Sequence, residues 1–205
     1  MEEQPDFGKY HHSTLAESAE IRKEARALFT KAFDQLPFSR DGKLKILDVG
    51  CGLGFLSCVC AEFYPNATVI GFDTFEHASL KGSSLERARN NAKILGYSDR
   101  IKFRRGDIFR SDYSKREFDL VASNLVFHNL GRKRFQAYER LARWTKPRSY
   151  SVLGDFFFDY KADLGRLSNL FACVEEKPTP YVELGYRMLV LSSPVRKTGR
   201  TPREQ

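Results

Sequence analysis

Four apolar runs in this chain of 205 residues end beside a side chain that accepts hydrogen bonds. Residues 45–49 carry Asp48 and enter Gly50-Cys51-Gly52-Leu53-Gly54, and residues 67–72 stop at Asp73. Residues 100–103 lead to Gly106-Asp107, and residues 118–123 stop at Asn124. Gly50, Gly52 and Gly54 let the backbone turn sharply and let a ligand approach without a Cβ in the way. Asp73 follows Gly54 by nineteen residues, the separation at which a carboxylate on a second strand meets the two hydroxyls of a ribose. The alternative is that Asp73 only caps the helix that follows.

The glycines decide which nucleoside such a site would hold. A dinucleotide fingerprint needs a third small residue three places after its second glycine, to pack the helix whose amino terminus faces a pyrophosphate. Those places are held by Phe55 or Ser57, depending on the starting glycine. Asp48, two residues before Gly50, is a fixed negative charge that would repel a pyrophosphate and attract the cationic amine of a methionyl group. The pattern therefore favours S-adenosylmethionine (SAM) over a nicotinamide dinucleotide. Beyond the fourth run, Ser123-Asn124-Leu125-Val126-Phe127-His128-Asn129 offers His128 as a general base, since a neutral imidazole accepts a proton near neutral pH. The other reading is that His128 and Asn129 fix the loop. Tyr10, His11 and His12 lead into the first helix, three such side chains in a row being unusual in a plain leader, and Phe156 lies in the run Asp155-Phe156-Phe157-Phe158, for which core packing is one reading.

The elements that must position these groups alternate. Leu15, Ile21, Ala25, Leu28, Phe29, Ala32 and Phe33 recur at helical spacing within residues 14–35, with Ser13 placed to cap the start. Strands are expected near residues 45–49, 67–72, 100–103, 118–123 and 150–158. Helices are expected at 55–63, 83–95 and 132–145, the last ended by Pro147. A short helix near 161–170 precedes segments 171–177 and 186–192, which pair as an antiparallel hairpin across Pro178, Pro180 and Gly185. Strand, glycine turn and helix in alternation is the grammar of an open, mostly parallel α/β sheet, in which ligands lie outside the carboxyl ends of the strands.

Ile46-Leu47-Asp48-Val49-Gly50-Cys51-Gly52-Leu53-Gly54 resembles the first motif of class I SAM-dependent methyltransferases. Gly71-Phe72-Asp73, Arg105-Gly106-Asp107-Ile108 and Phe118-Asp119-Leu120-Val121-Ala122-Ser123-Asn124 are similar to the next three, so the likeness spans about residues 44–155. It implies a Rossmann-like seven-stranded sheet of order 3-2-1-4-5-7-6 with the last strand antiparallel and helices on both faces. It also implies that Asp48 and the glycines, with Cys51, hold the methionyl part. Asp73, followed by Thr74, would hold the ribose, and Gly106, Asp107 and Ile108 the adenine side, with Phe75 against the adenine and Asn124 and Leu125 closing the cofactor site. In the family the segment before the first helix often folds over the cofactor as a lid and the segment after strand five often shapes the acceptor pocket, so the resemblance implies Tyr10, His11 and Phe156 as candidates to line that pocket. The segment 74–84 is longer than the family pattern. This loop and the Ser-Asn-x-Val-Phe-His sequence resemble those of a group of small methyltransferases. Asn124 is similar to the Asn of the Asn-Pro-Pro-Tyr motif of amino-group methyltransferases, but Leu125 and Val126 replace its prolines and no Tyr follows.

With 41% apolar and 29% charged residues and no long apolar run, a membrane partner is not expected. The acidic start, Met1-Glu2-Glu3-Gln4-Pro5-Asp6, lacks the features of a secretory signal, so a cytoplasmic location is expected. Cys58-Val59-Cys60 has too short a spacing for a zinc knuckle and no second pair follows, so no metal is expected. The expected organisation is a helical lid at 1–40, a methyltransferase domain at 41–194 and a basic tail at 195–205, with oligomeric state left open. The acceptor expected first is a small molecule. The net charge of +8, residues Arg132-Lys133-Arg134, Arg140, Arg143, Lys146 and Arg148, and the tail keep an RNA or protein acceptor as the alternative. A SAM-binding protein without catalysis is the third reading.

Overall fold

The computed structural model describes residues 3–111, 113 and 116–194. The sequence reading of a basic tail falls on residues 195–205 and lies outside them. Helix α1 (Leu15–Asp34) precedes strand β1 (Lys45–Val49), helix α2 (Phe55–Phe63), strand β2 (Thr68–Asp73), helix α3 (Leu85–Ile94) and strands β3 (Ile101–Arg105) and β4 (Phe118–Asn124). A 3-10 segment (Phe127–Lys133) then runs into α4 (Arg134–Trp144), followed by β5 (Thr145–Phe156), α5 (Tyr160–Ser168), β6 (Phe171–Lys177) and β7 (Tyr186–Pro194). The strands form one sheet of order β3-β2-β1-β4-β5-β7-β6. β1 to β5 pair in parallel, and β7 runs antiparallel to both β5 and β6. The expected fold class and strand order are those observed.

Two apolar layers cover the sheet, because successive strand side chains point to opposite faces. Ile46, Val69, Phe103, Leu120 and Val152 pack under α1, α2 and α3, while Leu47, Ile70, Val121, Leu153 and Leu189 pack under α4 and α5. Asp163, buried on α5, accepts from Arg134 Nε at 2.6 Å, Arg134 Nη2 at 3.2 Å and Tyr138 Oη at 3.0 Å, which ties α5 to α4.

The fifth strand, expected at 150–158, runs from Thr145 to Phe156, and two further local details differ from expectation. Thr14, not Ser13, caps α1: its hydroxyl accepts from Glu17 N at 3.1 Å and its own N–H donates to Glu17 Oε2 at 2.6 Å, a reciprocal capping box. Ser13 Oγ instead donates to Tyr10 O at 3.0 Å. Pro147 does not end α4, which stops at Trp144 as β5 begins. The β4–β5 pairing jumps from Phe118↔Thr145 to Leu120↔Tyr150, and Arg148 takes φ 63°. Pro147 therefore sits in a bulge where no ladder N–H is required of it.

The segment before α1 lies across α2 and α3 as a strap. Asp6 N donates to Asn91 Oδ1 at 2.9 Å, and Asn91 Nδ2 donates to Asp6 O and Leu53 O, both at 2.9 Å. Phe7 meets Phe55 edge to face at 5.6 Å, Tyr10 bridges to Leu80, and Arg22 Nη2 donates to Phe7 O at 2.5 Å. These contacts hold the strap beside the carboxyl ends of β1 and β2.

Candidate functional site

The carboxyl ends of β1 to β5 border one cleft of about 1210 Å³. Its form begins with the β1–α2 turn. Gly50 takes φ 72° and its N–H donates to Phe72 O at 2.7 Å, so the turn is fastened to the end of β2. A Cβ on Gly50 would lie 2.2 Å from Val126 Cγ2, so only glycine lets the loop after β4 close on this turn.

Asp48 is 1% exposed, and its Oδ2 accepts from Ser57 Oγ at 2.6 Å. Burial raises its carboxyl to about 7, with the nearby Asp73 charge adding to the rise and the Ser57 hydrogen bond opposing it. Asp73 spans the gap to the glycine turn: Oδ2 accepts from Gly52 N at 2.8 Å and Oδ1 from Phe75 N at 2.7 Å. Gly106 N donates to Asp73 O at 2.9 Å, which brings the β3 end alongside. Asp107 Oδ1 accepts from Phe109 N at 2.8 Å, and Ile108 is buried beside it. Thr74 lies at the same wall and Cys51 is buried in the turn.

The other end of the cleft is built after β4 and β5. Asn124 Oδ1 accepts from Tyr186 Oη at 2.9 Å, and Leu125, at φ 59°, donates its N–H to Gly154 O at 2.8 Å. Asn129 is exposed and donates from Nδ2 to Leu125 O at 3.1 Å. His128 Nδ1 lies 2.5 Å from Asp155 Oδ1, and its ring meets Phe156 edge to face at 5.5 Å. Tyr10 and His11 reach this cleft from the strap, with the His11 and His12 rings 3.6 Å apart. The Arg22 guanidinium lies 4.4 Å from the Tyr10 ring centre. Burial raises the Tyr10 phenol and lowers the Arg22 guanidinium, and each favours the charge of the other.

Two residues expected at the cofactor do not border the cleft. Phe75 turns into the core among the residues under α1 to α3, 7% exposed, with φ 60° and the Arg105 guanidinium over its ring. Gly54 caps α2 in the left-handed region, at φ 87°, where a Cβ would meet the Phe103 ring at 2.7 Å, so its part is to let α2 sit close on β3. All the other expected site residues, from Tyr10 to Phe156, line the one cleft. The aromatic run divides by direction: Phe156 faces the cleft, Phe157 is core and Phe158 is exposed.

Sequence reading did not single out Ser57, Arg22, Tyr181 or Tyr186 as site residues, and it noted Asp155 only beside the aromatic run. Asp155 was open to the rule that found Asp73 and Asp107, a polar group at the carboxyl end of a strand. Tyr181 and Tyr186 carried no such signal, since they reach the cleft only because β7 returns beside β5.

A family described as a methyltransferase domain matches residues 40–189. The chain belongs to this family, with the class I SAM-dependent fold. It is 28% identical over 169 residues to a malonyl-[acyl-carrier protein] O-methyltransferase of Legionella pneumophila, covering 81% of this chain and 55% of that one. It is 27% identical over 129 residues to a tRNA1(Val) (adenine(37)-N6)-methyltransferase of Vibrio campbellii, covering 58% and 51%. The chain thus spans about half the length of these curated relatives. A proposed SAM-dependent methyltransferase of Methanococcus maripaludis superposes with a TM-score of 0.65 at 15% identity, covering 93% of this chain and 100% of that one, which bears on the fold alone. SAM is the methyl donor of the class. No helix among the described residues is long and apolar enough to cross a membrane.

Proposed function

We propose that the chain transfers a methyl group from SAM to a small organic acceptor held in this cleft. The observation that carries the reading is that the three acids expected at the donor and the imidazole expected at the acceptor open on the same cavity, with aromatic walls between them. The donor end fits the group: a buried acid for an amine, a half-buried acid beside a glycine turn for ribose hydroxyls, and a third acid next to apolar Ile108 for an adenine edge. When bound, SAM supplies an electrophilic methyl on a sulfonium. Asp48 would pair with its methionyl amine, Asp73 would orient its ribose, Asp107 and Ile108 would take the adenine, and Asn124 and Leu125 would close the cofactor site. The strap bearing Tyr10 and His11 excludes water. Orientation and exclusion of water are what an in-line displacement chiefly requires of a protein.

An RNA acceptor is the second reading, favoured by the likeness to a tRNA methyltransferase of Vibrio campbellii. Two observations weigh for the small acceptor. Three basic groups of the second half of the chain have internal partners: Arg134 with Asp163, Arg166 with Glu139 and Lys146 with Asp119. The cleft mouth also carries Glu17, Glu20 and Glu24, whose charges oppose the approach of phosphates.

Incubation with methyl-labelled SAM and fractionated cell extract tests the reading. Label is expected in the small-molecule fraction. Label confined to RNA or protein would overturn the acceptor class, and tight SAM binding with no label in any fraction would overturn catalysis.

A further inference from the structure

We propose that Asp155 is the positioning residue that makes His128 a base, and that the acceptor is a phenolic hydroxyl; the second half rests on the methyltransferase reading above. Asp155 lies at the end of β5, 1% exposed, and both of its oxygens are engaged. Oδ1 lies 2.5 Å from His128 Nδ1 and accepts from Phe156 N at 2.8 Å, while Oδ2 accepts from Phe127 N at 2.6 Å and Val126 N at 3.1 Å. The carboxylate is held from four directions and cannot turn away from the ring. A carboxylate offers no proton, so Nδ1 carries the hydrogen and Nε2 keeps its lone pair. Phe156 and Phe158 stand edge to face with the imidazole, at 5.5 and 6.3 Å, and keep the ring from rotating.

The acceptor class follows from the walls and from what an imidazole can deprotonate. Near His128 the cleft is aromatic, with Phe156 edge to face with Tyr186 at 5.8 Å and Tyr186 with Tyr181 at 6.4 Å, and apolar Ile21 and Leu184 stand at the mouth. Flat aromatic ligands pack edge to face or offset against such rings. Neutral amines, thiolates and carboxylates attack a sulfonium without a base. An aliphatic alcohol is far too weak an acid for imidazole, whereas a phenol, with a pKa of about 10, is within its reach. In the step, the phenolic proton passes to Nε2 and the oxygen forms a bond to the methyl carbon. The carbon–sulfur electron pair stays on sulfur, leaving an aryl methyl ether, a neutral thioether and an imidazolium that returns its proton to solvent.

The test uses the full chain with labelled SAM and a panel of simple phenols, with benzyl alcohol, benzylamine and benzyl mercaptan as matched controls. Phenols are expected to be methylated and benzyl alcohol not. Asp155→Asn is expected to lower kcat by roughly 100-fold, because an amide donor facing Nδ1 moves the ring hydrogen to Nε2. Nitrogen NMR of the His128 ring without SAM should show the Nδ1–H tautomer in the native chain and Nε2–H in Asp155→Asn. His128→Gln keeps the Asp155 contact through its amide and should lose the acid limb of the pH–rate profile. An Nε2–H tautomer in the native chain would overturn the positioning role even if Asp155→Asn fails to fold, as would undiminished phenol turnover in His128→Gln. Transfer to amine or thiol but to no phenol would overturn the acceptor class and leave methyl transfer standing, whereas failure to bind SAM would sink the reading beneath it.

Discussion

Replacing Asp48 with Asn is expected to stabilise the SAM-free chain at alkaline pH while destroying its affinity for SAM. The carboxyl is buried at the end of β1, and burial, helped by Asp73, lifts it from 3.8 to about 7. At 1.36 kcal/mol for each factor of ten, ionising it inside the fold costs about 4 kcal/mol relative to the unfolded chain. Because the folded value is the higher one, the folded chain holds a proton between about pH 4 and 7 that the unfolded chain releases. Stability from this group is therefore fully present below about pH 4 and is lost as pH rises to about 7. Asn carries no charge and can still accept from Ser57 Oγ, so the variant lacks this loss. Water entering the cleft makes 4 kcal/mol a ceiling, and for a chain of this size it corresponds to a rise of about 10 °C in Tm. Thermal and urea unfolding at pH 8.5 and 5.5 would read the effect, with the gain at pH 5.5 about half as large. An equal gain at both pH values, or a loss at pH 8.5, would refute the argument that a buried charge is the cause.

SAM affinity should itself fall as pH drops through about 7, as Asp48 gains its proton, and calorimetry in buffers of different ionisation enthalpy should detect protons released on binding. Asp73→Asn is expected to weaken SAM binding by roughly 10- to 150-fold, the worth of one charge-assisted hydrogen bond; an unchanged Kd would remove Asp73 from the ribose. Gly50→Ala forces a Cβ against Val126 at φ 72° and should cost about 2 kcal/mol, read as a lower urea midpoint. Asp163→Ala strands Arg134 and Tyr138 between α4 and α5 and should cost about 3 kcal/mol, whereas a neutral result would show that the pairing adds nothing to the fold.

The donor end of the cleft was legible because a parallel sheet turns sequence order into spatial order. Asp48, Asp73 and Asp107 come together simply because β1, β2 and β3 are neighbours, and short range patterns locate each strand end. Phe75 falls outside the cleft lining for a different reason. The loop 74–84 is long enough to turn a ring either way, and only the positive φ at Phe75, set by its N–H bond to Asp73, sends it into the core. Pro147 misled because a bulge can absorb a residue that a regular ladder refuses. The pairing of His128 with Asp155 crosses 27 residues and depends on the β4–β5 register, in which Asn124 opposes Gly154, so neither residue alone discloses it.

Different lengths of chain build the two halves of the cleft. The tips of β1 to β3, with the strap beside them, shape one end, whereas the turn between β6 and β7 supplies Tyr181 and Leu184 at the other. On the proposed reading, mutational drift in that turn would reshape the acceptor end without disturbing Asp48, Asp73 and Asp107. Such modularity lets one scaffold diversify its chemistry by surface exchanges alone, and grafting residues 178–185 from a relative would be the natural way to retarget it.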